Sequence, residues 1–246
     1  MNLFRIFLIP FFLLSLTSDD FLGEQKRYKR VRKALEDKKD EVKINLEANK
    51  IALENLEIAM VAFKEEDELQ IYAKNKEDSS FLLLKTYNIC RKSGRLGPKR
   101  KQGDRQVPEG FYHIDRFNPA SSYYLSLGIN YPNQSDQIKS TAHHLGGDIF
   151  IHGECVTIGC LPMTNDKIKE IYLLAVFARN NGQLQIPVYI FPFKMDEMKF
   201  GFRKLKYGDD RELIKFWENL QIGYNLFFKE KQRLHFKVNQ KGDYVF

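Results

Sequence analysis

The segment Asp148-Ile-Phe-Ile-His-Gly-Glu-Cys-Val-Thr-Ile-Gly-Cys-Leu-Pro-Met163 constrains this chain more than any other. A short apolar run ends at His152-Gly153, and Gly159-Cys160 follows after a brief excursion. Such a run reads as a short buried strand, which sets His152 on the face of Phe150, opposite Ile149 and Ile151. Gly153 permits a sharp reversal. Glu154 to Ile158 is long enough to fold back and bring Cys160 beside His152. Gly159 lets the backbone approach a substrate carbonyl, and the Cys160 amide with a neighbour forms a candidate oxyanion hole. A cysteine attacks as thiolate, and an imidazole in reach takes its proton and later protonates the leaving amine. The pattern points to acyl transfer through a thioester.

The N-terminus carries Arg5 and then an almost unbroken apolar run to Leu16, followed by Thr17 and Ser18. The run is shorter than the ~20 residues a spanning helix needs, and Pro10 interrupts it. Residues 1–18 are therefore expected to be an export signal, placing the protein in the periplasm or cell envelope. Cys90, Cys155 and Cys160 are the only cysteines, so a disulfide scaffold is excluded and at least one thiol stays free. Cys90 ends a strand and is expected to be buried. For Cys155 the readings are core or loop packing, which is favoured, a disulfide with Cys160, or a redox neighbour.

With 43% hydrophobic residues the chain can bury a sizeable core. Its net charge of +7 is concentrated in Lys26 to Lys33 and Lys99 to Lys101. Those clusters suit acidic wall polymers or a membrane surface, or are simply solvated faces. Export makes nucleic acid an unexpected partner. Leu35, Val42, Leu46, Leu53, Leu56 and Met60 recur at helical intervals, so residues 24–66 are expected to form a helical arm, packed on the body or against another helix. Beyond it the chain reads as mainly β with inserted helices. Strands are expected at 68–73, 81–90, 110–117, 122–127, 148–151 and 184–191. Helices are expected from Thr164 to Gly182 and over 209–228, with an edge strand or tail from Leu234.

These residues also carry a resemblance. Ile151-His-Gly153 followed by Gly159-Cys160, and Gly103-Asp-Arg-Gln-Val-Pro-Glu-Gly-Phe-Tyr112, resemble the YkuD-type L,D-transpeptidase catalytic domain. Ser93-Gly-x-x-Gly-Pro-Lys99, Tyr124-Leu-Ser-Leu127, Asn130-Tyr-Pro-Asn133 and Gly146 to Gly153 resemble its YafK-like branch. The resemblance spans roughly residues 80–195. It implies an α+β fold, mainly β, with a catalytic domain over 67–200 and a C-terminal helix and tail over 201–246. It implies Cys160 as nucleophile, His152 as proton donor and acceptor, and the Gly153 carbonyl orienting the imidazole. The implied substrate is a peptidoglycan stem peptide, attacked at the L-centre of its third residue. Two departures stand out: Ile158 occupies the position of a family histidine, and Pro162 that of a family arginine. They favour hydrolysis over cross-linking, in keeping with an endopeptidase that releases wall-bound lipoprotein. The rival reading is a non-catalytic wall- or membrane-binding module working through the arm.

Tyr124 and Arg116 are candidate contacts to an anionic peptide, Tyr123 and Lys85 being set aside. His144, before Gly146-Gly147, is a further candidate at the site. No cofactor or metal is expected, since the histidines and cysteines follow no ordinary zinc spacing.

Overall fold

The computed structural model describes residues 20–246. The expected export signal at 1–18 lies outside the described residues. The chain opens with α1 (Phe21–Lys26) and α2 (Lys29–Ala48), then enters an eight-stranded sheet. Its first strands are β1 (Leu56–Phe63), β2 (Glu68–Asn75), β3 (Leu82–Asn88), β4 (Gly110–Asn118) and β5 (Ser126–Ile129). The short helix α3 (Gln134–Lys139) precedes β6 (Phe150–His152) and β7 (Leu161–Pro162). Then follow α4 (Asn165–Asn180), β8 (Pro187–Phe191), α5 (Glu197–Lys206) and α6 (Arg211–Glu230). A small hairpin, β9 (Lys237–Val238) and β10 (Tyr244–Val245), ends the chain.

The sheet order is β3-β2-β1-β8-β4-β5-β6-β7, with β1/β8 and β6/β7 parallel and the other pairs antiparallel. Successive β1 side chains alternate between two cores. Ile58, Met60 and Ala62 join α2 and α4 on one face. Ala59, Val61 and Phe63 join α5, α6 and the C-terminal aromatics on the other. The fold is thus α+β in three layers, with helices on both faces of the sheet.

The expected arm over 24–66 is corrected by this arrangement: helix ends at Ala48, and 56–63 is an interior strand. A strand buried on both faces reads as a continuous apolar run, and Leu53, Leu56 and Met60 mimic helical spacing. The catalytic sheet therefore begins before residue 67. The shortened arm docks on the body, packing α1 and α2 against helix α4. Leu22 N–H donates to Asn180 at 2.9 Å, Tyr172 OH donates to Gln25 at 2.7 Å, and Lys169 pairs with Asp37 at 2.7 Å. Arg30 donates to the carbonyls of Ser121 and Tyr124.

The opposite layer is locked by a buried ion pair. Glu109, fully buried, accepts from Lys64 Nζ at 2.8 Å, Gly97 N–H at 2.7 Å and Trp217 Nε1 at 2.8 Å. Lys64 also donates to the carbonyls of Gly97 and Val107. One cluster thus joins β1, α6 and the loop after β3.

Candidate active site

His152 closes β6, and Cys160 directly precedes β7. The parallel register opposes Ile151 to Leu161 and His152 to Pro162, so Cys160 stands level with Phe150 on the adjacent strand, two residues along from His152. His152 is buried, and its Nδ1–H donates to the Gly153 carbonyl. That leaves Nε2 as the basic nitrogen. Tyr123 covers the ring at a centroid distance of 4.6 Å, which fixes its plane. Gly153 must lack a side chain, because a Cβ there would lie 2.5 Å from Asn165 Oδ1 and 2.9 Å from the Tyr123 carbonyl. At Gly159, φ is +138° and a Cβ would sit 3.0 Å from the Gln106 carbonyl. Both glycines are therefore required by close backbone approach.

Cys160 Sγ donates to the Asp148 carbonyl at 3.6 Å, and among the described residues no hydrogen bond joins it to His152. Burial raises the Cys160 pKa; the Phe150 backbone hydrogen bond opposes this, Asp148 adds to it, and Lys99 opposes it. Burial lowers the His152 pKa against the hydrogen bond to Gly153 and the charge of Glu154. Both shifts favour the neutral forms. Burial thus works against an ion pair and toward a neutral thiol and a neutral imidazole. Alkylation of Cys160 by iodoacetamide should therefore still be accelerating at about pH 9, the ordinary value of the thiol. A plateau already reached near neutral pH would instead reveal a preformed thiolate.

The oxyanion-hole expectation at Gly159 and Cys160 needs correction in this conformation. Thr157 Oγ1 accepts from the Gly159 amide at 3.2 Å and the Cys160 amide at 2.9 Å, and donates to the Cys160 carbonyl at 2.8 Å. Thr157 thus occupies both amides. Thr157 was not singled out from the sequence, although its place three residues before the cysteine was the available signal.

Cys90 and Cys155 form a disulfide across 65 residues, and Cys160 is free. The expected core or loop packing of Cys155, like its pairing with Cys160, is thereby corrected; Cys155 lies exposed and Cys90 half-buried. The bond fastens the loop between His152 and Cys160 to the end of β3, where Cys90 N–H also donates to the Pro162 carbonyl at 3.0 Å. Removing it with Cys90→Ser/Cys155→Ser should lower unfolding free energy by about 2–4 kcal/mol, as typical for a disulfide. Denaturant titration of the oxidised protein and of the double variant measures the difference.

The remaining candidates divide. Arg116 pairs with the Asp148 carboxylate at 2.7 Å and lies 4.9 Å over the Phe150 ring, one residue removed from the thiol. Tyr124 turns away: Arg30 and Lys169 cover its ring, and its carbonyl accepts from Arg30. Tyr123, set aside at first, is the tyrosine at the site. His144 is an exposed loop residue whose carbonyl accepts from Gln102 N–H at 2.9 Å. A cleft of about 210 Å³ opens beside Cys160 and Leu161, walled by β1 and by residues 89–96.

The sequence pattern of the YkuD family, the L,D-transpeptidase catalytic domain, matches residues 60–190, more than half of the chain. The chain belongs to this family. The matched span begins within β1, in agreement with a domain that begins before residue 67. "Putative L,D-transpeptidase YafK" of Escherichia coli strain K12 is 42% identical over 168 residues, covering 67% of this chain and 64% of that protein's length. The protein of the same name from E. coli O157:H7 aligns equally well. The chain thus spans less than two thirds of these relatives. Among solved structures, the helical cell shape determining protein Pgp2 from Campylobacter jejuni aligns with TM-score 0.44 at 17% identity, over 74% of this chain and 73% of that one. Bd1075 of Bdellovibrio bacteriovorus aligns with TM-score 0.39 at 21% identity, over 70% and 62%. Within this L,D-transpeptidase-type domain, His152 and Gly153 lie at the end of β6, and Gly159 and Cys160 lie just before the adjacent β7, with Cys160 lining the cleft.

Proposed function

We propose that the protein is an exported cysteine enzyme of peptidoglycan metabolism, with Cys160 attacking the L-centre carbonyl of the third stem-peptide residue. The observation that carries the reading is the buried imidazole at the end of β6, its Nδ1 bound to Gly153, with a free thiol just before the adjacent strand β7 that opens onto a cleft. Sγ turns toward Nε2, His152 takes the proton as the thiolate attacks, and a tetrahedral oxyanion forms. Its collapse expels the amine, protonated by His152, and leaves a thioester. Water or an amine then resolves the thioester.

Hydrolysis is the favoured outcome. Pro162 lies in β7 beside His152 and supplies no cation at the position of the family arginine. The favoured substrate is a stem peptide carrying a covalently attached lipoprotein. The non-catalytic binding module is less well supported, because part of the basic cluster it requires is engaged within the chain. Arg30 is bound to body carbonyls, Arg32 to the carbonyls of Lys26 and Arg27, and Lys33 to Asp37 at 2.7 Å. The membrane-surface role of that cluster weakens for the same reason.

The test is mass spectrometry of muropeptides from sacculi incubated with the protein. Loss of lipoprotein-derived residues supports the hydrolase, and new cross-links between third residues support a transpeptidase. Unchanged muropeptides from both lipoprotein-bearing and stripped sacculi would refute the reading.

A further inference from the structure

Four cationic side chains wall the thiol cleft: Lys64, Arg91, Lys92 and Arg95. Two are matched by carboxylates, Lys64 by Glu109 at 2.8 Å and Lys92 by Asp67 at 2.6 Å. The acids of the cleft wall are likewise engaged, Asp67 by Lys92 and Glu65 by Arg203. Among the described residues, neither the Arg91 nor the Arg95 guanidinium has a hydrogen-bond or ion-pair partner. The cleft therefore keeps an uncompensated positive charge next to the nucleophile.

The backbone that carries these two arginines is pinned at both ends. Cys90, immediately before Arg91, is bonded to Cys155 and hydrogen-bonded to Pro162. Arg95 N–H donates to Gln106 Oε1 at 2.8 Å, and the turn before it uses Gly94 at φ +73°. Gln106 also supplies the carbonyl that packs on Gly159. The segment is thus tied from two sides to the stretch between Cys155 and Pro162 that carries the thiol. A guanidinium offers a planar pair of donors that matches a carboxylate, and an anchored backbone reduces the entropy lost on binding.

From this arrangement we infer that Arg91 and Arg95 form a carboxylate-binding subsite that anchors a free carboxyl group of the peptide donor beside Cys160. The inference rests on the peptidase reading for the identity of the donor, and it deepens that reading by naming what holds the substrate where Pro162 cannot. Arg95 also borders the adjoining groove lined by Arg100 and Phe216, so a donor longer than the cleft has a continuous path past it.

The subsite is tested by binding, separately from turnover. Full-chain Cys160→Ala protein is titrated calorimetrically with a synthetic stem tetrapeptide, its carboxyl groups free or individually converted to carboxamide. One free carboxylate should strengthen binding about 10- to 100-fold, the range of a charge-assisted hydrogen bond. Adding Arg91→Gln and Arg95→Gln should collapse that preference to less than about 3-fold. Both side chains are exposed, so melting temperature should stay unchanged. Arg91→Lys and Arg95→Lys, which keep charge but lose the fork, should recover only part of the preference. Equal affinity for acid and amide, no binding of either, or a preference surviving in the double Gln variant would each overturn the subsite. Turnover by the otherwise wild-type protein is scored independently. Selective binding without turnover would leave the subsite standing and defeat the peptidase reading. Turnover with an unchanged KM in the Arg variants would do the reverse.

Discussion

Cys160→Ala is expected to lower turnover of the peptide substrate by at least about 10³-fold, the scale set by removing a nucleophile from an acyl-transfer site. The fold should survive. The lost sulfur makes hydrogen bonds only to backbone, at Asp148 and Phe150, and its removal leaves a small space at the edge of an open cleft. A destabilisation below about 1 kcal/mol is expected for so limited a change. Cys160→Ser keeps a donor for Asp148 but should be nearly as inactive, because a serine hydroxyl is far less readily ionised than a thiol. His152→Gln should also lose activity, and its alkylation profile separates the roles. If the imidazole acts as general base on a neutral thiol, Cys160 in that variant still reacts with iodoacetamide as pH rises, while peptide turnover is lost. Product formation by Cys160→Ala at more than a few per cent of the wild-type rate would remove the thioester from the mechanism.

The largest stability effect is expected at Glu109. Glu109→Ala leaves Lys64 buried without its carboxylate, and also strands Gly97 N–H and Trp217 Nε1. Breaking a buried pair from one side costs about 3–5 kcal/mol, which for a chain of this size lowers Tm by about 6–20 °C. The direction of the Lys64 shift fits this: burial depresses its pKa, while Glu109 pulls against the depression. Lys64→Met combined with Glu109→Gln should cost less than the sum of the single changes, since no buried charge is then left alone. Thermal unfolding of the four proteins in that cycle measures the coupling, and additive losses would contradict it. Activity should fall with the single variants even below their melting temperatures, because Gly97 belongs to the loop that continues from the cleft wall.

The candidate site was legible in the sequence because its parts are close together in the chain. A strand of three residues, two glycines and an eight-residue return put His152 at the end of β6 and Cys160 just before the adjacent parallel strand β7. Helix α4 was equally legible: Thr164 caps it through Lys167 N–H, and its apolar residues keep helical spacing. Strand β1 was not legible. Burial on both faces erased the alternation that marks a strand, and the helical spacing of the preceding segment ran on into it.

Residue pattern alone supplied the identity and local order of the candidate reacting groups, together with the glycines that close backbone approach demands. Pairwise choices among distant residues were decided only by tertiary structure. Three cysteines allow three single pairings, and the fold selects Cys90 with Cys155 by bringing the segment after β3 to β7 and to the loop before it. Two adjacent tyrosines are equivalent on paper, yet the backbone turns Tyr123 onto the imidazole and Tyr124 toward the arm. Thr157 is placed to occupy the Gly159 and Cys160 amides by the path of a loop that the disulfide fastens. Contacts of this kind depend on where separate segments meet in space, and local residue pattern does not encode that meeting.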